Sequence, residues 1–496
     1  MECIGYKKVI LNPSELNWIG IRFFDRMGRV FKYNGQYYRA IYPHKVDYVM
    51  KLLQSGLVED LVGKGILVET RIAEMDVKGF GLVLWHRAAP FPTNPLVWNR
   101  SFIRDAALCG INLNLELLKY GLGTIDFTPN NIQQRGNCSP VWIDFGSICP
   151  LSSVGLECGI SELKKYFLNP LYLLSQKKSL NDICRKIIHY SGGLTEEQLE
   201  DLTGSTSFFE ARSRQDVLEA VRDWLTNLSF PDLSSKWQEY QPDLHISNFN
   251  FTNSSDKRAE TIYRIIKHYK PKKVVDLSCN AGYFSFMAAN MGADTYSIDM
   301  DEGAIERLYH YAKQAPEPIS LTVAVGDVLT KRDIQADLVI APALSHHIAI
   351  SQRFPFTYIA ERFSSYSTDV LLTDFMANGL GGSTPQSDPL PQGYNLRAYV
   401  ESFAPYFRKV DTIYYPAPLD WSFRILVLCS DRKGDGELNE TEFSTSIVRV
   451  DSSSNTTGLV YRIICPCCEE PFVYNNNGPI QCSQCGKTLD INVFTL

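Results

Sequence analysis

The stretch that most narrows how this 496-residue chain can fold is VVDLSCNAGYFSFMAANMG, residues 274–292, followed closely by YSIDMD at 296–301. An apolar run leads into a turn of small residues and then into a helical run, so backbone N–H groups at a helix start can approach a ligand closely. Asp299 lies 23 residues after Asp276, at the end of the next apolar run, where a carboxylate can accept both hydroxyl hydrogens of a ribose. The turn alone is a weak signal. Turn and acid at this spacing together point to a nucleotide-type crevice in a doubly wound α/β sheet.

The alternation continues to Asp431. SLTVAVGDV ends at Asp327, ADLVIAPALSHHI ends beside His346 and His347, LLTDF spans 371–375, and a helical LRAYVESFAPYF precedes KVDTIYYPA and SFRILVLCS. The last two runs are expected to pair as an antiparallel edge. From about Val274 to Asp431 this order resembles the class I S-adenosylmethionine (SAM) dependent methyltransferases, with a Rossmann-like doubly wound sheet. The resemblance implies that Asp276, Ser278, Asn280 and Gly282 face the methionine part of SAM, Asp299 the ribose and Asp327 the adenine. Ser278 and Asn280 stand where the family's D-x-G-x-G-x-G pattern has glycines, which narrows the loop but keeps Gly282. A dehydrogenase is the rival for such a sheet, and Asp327 and the terminal strand pair favour SAM. His346 and His347, at the carboxyl end of the fourth strand, are candidate catalytic bases for an acceptor hydroxyl, against the alternative of a helix cap or a structural histidine.

A chain of this length exceeds one hydrophobic core and is expected to hold three or four units. Hydrophobic residues at 45% and charged residues at 21% are ordinary globular values. A formal net charge of −6 gives no global positive field toward nucleic acid or an anionic membrane. The N-terminus has no apolar core of signal-peptide length, and no run approaches the ~20 apolar residues of a membrane span, so a cytoplasmic location is expected.

The front of the chain reads differently. GRVFKYNGQYYRAIY places Asn34-Gly35 between two alternating runs, a hairpin signal. Residues 45–65 are helical in pattern, GFGLVLW reads as a strand, and residues 101–120 as a longer helix closed by Gly121. Asp126, Asn131 and Asp144-Phe145-Gly146 follow in TIDFTPNNIQQRGNCSPVWIDFG. Their spacing fits the catalytic loop and magnesium motif of kinases, with Asp126 orienting an acceptor hydroxyl and Asn131 and Asp144 holding magnesium against ATP phosphates. No G-x-G-x-x-G loop is present, and Arg39 stands where kinases carry the phosphate-pairing lysine, keeping the charge but not the ammonium geometry. Taken with the SHHI segment, the front runs and the following methyltransferase resemble nodulation-associated and glycan-linked bacterial methyltransferases carrying a front domain. That resemblance supports methyl transfer as the reaction rather than a particular acceptor.

Five cysteines crowd between Cys465 and Cys485. Cys465/Cys468 and Cys482/Cys485 form two C-x-x-C pairs able to hold one tetrahedral Zn²⁺, while Cys467 lacks the matching spacing. Between Ser446 and Leu496 the basic residues Arg449, Arg462 and Lys487 face four acidic ones, which favours a structural or protein-docking ribbon over a nucleic-acid reader.

The expected architecture is multidomain α/β: a kinase-like α+β domain at 1–235, a methyltransferase domain at 236–432, a polar linker at 433–457 and a zinc ribbon at 458–496. The expected activity is SAM-dependent O-methylation of a glycan or small acceptor, coupled to phosphoryl transfer if the front domain is active. The alternatives are an assembly or regulatory protein with a pseudokinase front and a partner-docking ribbon, or a methyltransferase of protein or RNA.

Overall fold

The computed structural model describes residues 9–20, 25–153, 159–176, 180–204, 213–234, 237, 257–382, 384–418, 424–434, 436–437, 440–448, 459–474 and 478–494. The polar stretch read as a domain boundary at 247–256 and the DSSSNTT run at 451–457 lie outside these residues. Chain contacts divide the molecule into two compact units, Met1–Ser234 and Ser235–Leu496.

The first unit opens with a five-stranded antiparallel sheet in the order Asn17–Ile19, Gly28–Tyr33, Gln36–Ile41, Leu82–His86, Thr70–Ile72. Its central hairpin turns at Asn34 and Gly35, both left-handed (φ 48° and 77°), matching the twist of the strands. The stretch 45–65 forms two helices, Val46–Gln54 and Leu57–Gly63, because Gly56 between them takes φ 77°. The helix Arg100–Leu118 is buried over most of its length and ends ahead of a left-handed Gly121. A hairpin of Ile132–Arg135 with Ser139–Trp142 then carries the chain to Asp144. Helices Asn169–Gln176, Asn181–Tyr190, Glu196–Thr203 and Arg214–Asn227 complete the unit.

The second unit is built on one mixed sheet. Its strands are β1 (Lys273–Leu277), β2 (Asp294–Asp299), β3 (Leu321–Val325), β4 (Ala336–Ala341), β5 (Ser367–Met376), β6 (Phe407–Tyr414), β7 (Arg424–Arg432), β8 (Glu442–Ile447) and β9 (Asn492–Val493). The order across the sheet is β3-β2-β1-β4-β5-β7-β6-β8-β9. Strands β1 to β5 pair in parallel, and β7 enters antiparallel between β5 and β6. The parallel strands are apolar almost throughout, as expected where helices cover both faces. Helices α1 (Lys257–Tyr269) and α2 (Tyr283–Asn290) bury Ile262, Ile265 and Met287 in a cluster with Val274, Leu338, Leu372 and Leu426 from four strands. Helices α3 (Glu302–Lys313), α4 (Phe356–Ser365) and α5 (Leu396–Glu401) complete the crossovers used below.

Part of the stretch read from composition as a linker is sheet. β8 pairs in parallel with β6, and β9, from the cysteine-rich tail, pairs with β8. The strand is held by its backbone ladder and by the Ser446 hydroxyl, which donates to the Asp411 carboxylate at 2.9 Å. A strand held by polar contacts carries little apolar signature. Within the tail, Leu459–Ile464 and Pro471–Tyr474 form a hairpin, and Leu459–Ile464 also pairs with Ala417–Pro418. Among the described residues no helix is long and apolar enough to cross a membrane.

Candidate active site and metal centre

The order of β1 and its neighbours creates the crevice. β2 and β4 flank β1 on opposite sides, so the chain leaves the middle of the sheet in two directions and a gap opens at the carboxyl ends. The loop from Ser278 to Gly282 lines it. Ser278 (φ 60°), Asn280 (φ 51°) and Gly282 (φ 90°) are all left-handed, so the two residues that replace glycines keep a glycine-like path at a cost of roughly 1–3 kcal/mol each. Serine and asparagine are held there by hydrogen bonds: Ser278 N and Cys279 N donate to Ile298 O at 2.8 and 3.2 Å, and Asn280 N donates to Asp299 Oδ2 at 2.9 Å.

Asp299 is buried at the end of β2. Its Oδ1 accepts from Asp301 N at 2.8 Å and its Oδ2 also accepts from the Ser278 hydroxyl at 3.4 Å. One lone pair of Oδ1 is open, and the second acceptor position a ribose diol needs is the one on Oδ2 that the Ser278 hydroxyl holds only at 3.4 Å. Asp276 lies beneath the loop, its Oδ2 accepting from Ser285 Oγ at 2.6 Å. Burial, and secondarily the charge of Asp299, push its carboxyl up to about 7 against that hydrogen bond. Asp327 is exposed, its Oδ1 accepting from Leu329 N at 2.8 Å. Asp276, Ser278, Asn280, Gly282 and Asp299 thus converge on one loop, while Asp327 stands just past the end of β3, the next strand but one from β1.

The two histidines sit on the turn after β4, beside a left-handed Ala343 (φ 57°). Their rings lie 4.1 Å apart. His346 is buried with no hydrogen-bond partner at Nδ1, and burial pushes it down to about 2, helped by His347 and Arg424. His347 is half-buried, with the Trp237 ring 5.3 Å away. The Trp237 carbonyl accepts from Asn280 Nδ2 at 3.3 Å, so Trp237 touches both the loop and the histidine turn. Asp374, fully buried at the end of β5, accepts from Ala343 N at 2.8 Å and faces Arg424 Nη1 at 3.9 Å. Burial raises its carboxyl above the usual range. Sequence reasoning missed Asp374, Arg424 and Trp237. The acid closing the apolar run LLTDF was the available signal for the first, by the logic that found Asp299.

In the first unit, Arg39 is buried in the central hairpin strand. One guanidinium nitrogen pairs with Asp25, and Nη2 donates to Asp144 Oδ1 at 2.6 Å. The same Oδ1 accepts from Gly146 N at 3.0 Å. A Cβ on Gly146 would stand 2.0 Å from Arg39 Nη1, which explains a glycine there by close approach. Asn131 Nδ2 donates to the Asp126 backbone carbonyl at 3.1 Å. Burial, then the charge of Asp144, raise the Asp126 carboxyl. Arg39, Asp126, Asn131 and Asp144 are therefore neighbours, and the guanidinium engages one oxygen, Oδ1, of the carboxylate that the kinase pattern assigns to magnesium. His86, also buried, hydrogen-bonds Thr70 Oγ1 through Nδ1 at 2.9 Å and is pushed down to about 3 by burial and by Arg39.

Cys465, Cys468, Cys482 and Cys485 converge, with all four sulfurs within 4.8 Å of one another. Cys465 to Cys485 and Cys468 to Cys482 measure 3.8 and 3.7 Å. A tetrahedral site with Zn–S near 2.3 Å requires sulfurs about 3.8 Å apart, so the four fit Zn²⁺. Each C-x-x-C closes on a left-handed residue, Glu469 (φ 60°) and Gly486 (φ 71°), whose N–H returns to the first cysteine's carbonyl at 2.8 and 2.9 Å. Cys467 is exposed and outside the cluster.

No protein-family model matches the chain. It is similar to nodulation protein NoeA of Rhizobium meliloti (strain 1021), 24% identical over 389 residues that span 67% of this chain and 79% of that protein. Among solved structures it is similar to the bifunctional kinase-methyltransferase WbdD, 20% identical over 36% of this chain and 39% of that one, with a TM-score of 0.28. It is also similar to SAH-bound magnesium protoporphyrin IX methyltransferase (ChlM) from Synechocystis PCC 6803, 14% identical over 36% and 84% of the two chains, with a TM-score of 0.28.

Two outcomes follow from this geometry. Because folded Asp276 holds its proton to about pH 7 while an unfolded aspartate releases it near 3.8, the folded state binds more protons between those values. Stability of the second unit is expected to fall as pH rises through that window, and Asp276→Asn to flatten the fall, as read by hydrogen exchange of β1 and α2. Elemental analysis of the purified chain is expected to give one zinc per chain, lost in Cys468→Ser/Cys482→Ser, with earlier thermal unfolding of the second unit after chelation.

Proposed function

We propose that the second unit is a SAM-dependent methyltransferase acting on a hydroxyl of a glycan or small acceptor. The observation that carries this reading is the strand order 3-2-1-4-5-7-6 with β7 antiparallel, joined to a left-handed Ser278–Gly282 loop fastened to Asp299. A dehydrogenase sheet needs neither the inserted antiparallel strand nor an acidic residue at the end of β3. We assign residues 1–235 to a kinase-like domain, 236–432 to the methyltransferase and 458–496 to a zinc ribbon, with 433–457 between them contributing β8.

Bound here, SAM would supply a methyl group on a sulfonium leaving group. The chain's task is to orient and to move one proton. Asp299 holds the ribose, the Ser278–Gly282 loop the methionine part, and Asp327 the adenine edge. Of the two histidines His347 is the better base: it is half-buried, whereas charging buried His346 is opposed by desolvation and by Arg424. His346 then acts by positioning the ring it packs against.

Calorimetric titration with SAM tests the reading. Binding is expected for the parent chain and lost in Asp299→Ala, while His347→Ala retains binding and loses at least about 100-fold in methyl transfer. A parent chain that does not bind SAM would sink the assignment.

One observation favours a second reading for the first unit, a pseudokinase that serves assembly or regulation. Arg39 clamps Asp144, which a kinase reserves for magnesium. On this reading ATP with Mg²⁺ gives no binding heat and no hydrolysis. Magnesium-dependent ATP binding that disappears in Asp144→Ala would restore the kinase.

A further inference from the structure

A cleft of about 1130 Å³ lies between the turn that follows β4 and the loop that follows β5. It begins at Ala349 and Ile350, on the same turn as His347, and runs past Arg353 to Tyr394. By topology this is the carboxyl edge of the sheet, on the side of β4 away from β1. It shares that turn with His347, which is not itself part of the lining.

The walls are preformed. Gln386 pins the far loop: its Oε1 accepts from Leu380 N at 2.9 Å, its Nε2 donates to Asp388 O at 2.8 Å, and its own N–H donates to Asn378 O at 3.2 Å. The Tyr394 hydroxyl donates to Met376 O at 2.9 Å, and its ring packs 5.3 Å from Phe356 and 5.2 Å from Phe375. Arg353 at the rim is left-handed (φ 59°), a strained conformation for a side chain of this size.

The lining chemistry is specific. Phe354 is 37% exposed, stacked on Tyr358 at 4.8 Å, and so presents a ring face that no core requires. Around it stand hydroxyl and amide groups, including Thr357, Thr384, Ser387 and Gln392. Among the lining residues the charges are one cation, Arg353, and one anion, Asp388. A phosphorylated or nucleic-acid acceptor calls for clustered cations. An aliphatic acceptor would leave the polar lining unpaired. Flat apolar faces edged by hydroxyls, as in a pyranose, satisfy both parts. The volume exceeds the roughly 300–1,000 Å³ that encloses a drug-sized ligand, so linked rings fit better than one.

We infer that this cleft binds a neutral oligosaccharide of two or more units, with one ring on Phe354, as the acceptor of the methyl group. The inference rests on the methyltransferase reading for the word acceptor but not for the binding itself. The test is the full chain on an array of neutral di- to tetrasaccharides, with sialylated and phosphorylated glycans on the same array. Neutral glycans are expected to bind, about tenfold more weakly in Phe354→Ala, whose retained SAM binding shows that it folds. Binding confined to anionic glycans, no binding to any glycan, or an unchanged Phe354→Ala would overturn the inference. Asp299→Ala separates the two proposals: it is expected to lose SAM and keep the sugar. If SAM fails to bind the parent chain while the sugar binds, the methyltransferase reading falls and the sugar site stands.

Discussion

The hydrogen bond from Asn280 N to Asp299 Oδ2 joins the loop after β1 to the end of β2, and the crevice depends on it. Without a partner for that N–H, a non-glycine residue at φ 51° would relax toward the right-handed region. The sheet supplies the remaining restraint, since Ser278 N and Cys279 N both donate to Ile298 O on the same neighbouring strand. The strain is thus sustained by a buried parallel ladder that hydrophobic packing already stabilises. Because β4 lies on the other side of β1, the same register that fixes the loop also sets the histidine turn beside it.

Burial sorts the ionisable groups in both units. His346 and His347 are adjacent in the chain, yet one ring is held neutral by burial and the other is half-open. Arg39 is equally buried but paired with two carboxylates, Asp25 and Asp144. Removing either aspartate leaves a one-to-one pair, whereas removing Arg39 leaves two facing carboxylates, so the arginine is the member the triad depends on. The triad ties the hairpin strand to the segment carrying Asp144.

The cysteine cluster is continuous with the large sheet of the second unit. Its chain returns through β9 to β8, and the Tyr461 hydroxyl donates to Val448 O at 2.7 Å. Phe494 packs against the same apolar cluster as Val274 and Leu426. Four thiolates around one ion are an economical anchor for a segment too short to bury a core of its own.

Features made of neighbours in the chain were legible in the sequence: the Asn34-Gly35 hairpin, the turn from Asp276 to Gly282, the acid closing β2, and the two C-x-x-C pairs, whose mutual distances follow from ligand chemistry. Local geometry settles each of these within a few residues. What only the tertiary structure decided are the meetings of distant groups. Arg39 and Asp144 are 105 residues apart in the chain, Ser446 and Asp411 are 35 apart, and Trp237 reaches Asn280 across 43. None of these pairs has a periodic or compositional trace, because a buried ion pair or a polar strand contact depends on which surfaces pack together. The same holds for the choice between His346 and His347, which only burial distinguishes. The sequence by itself determined which residues carry chemistry, and packing determined which of them stay charged, which are paired off and which face a cleft.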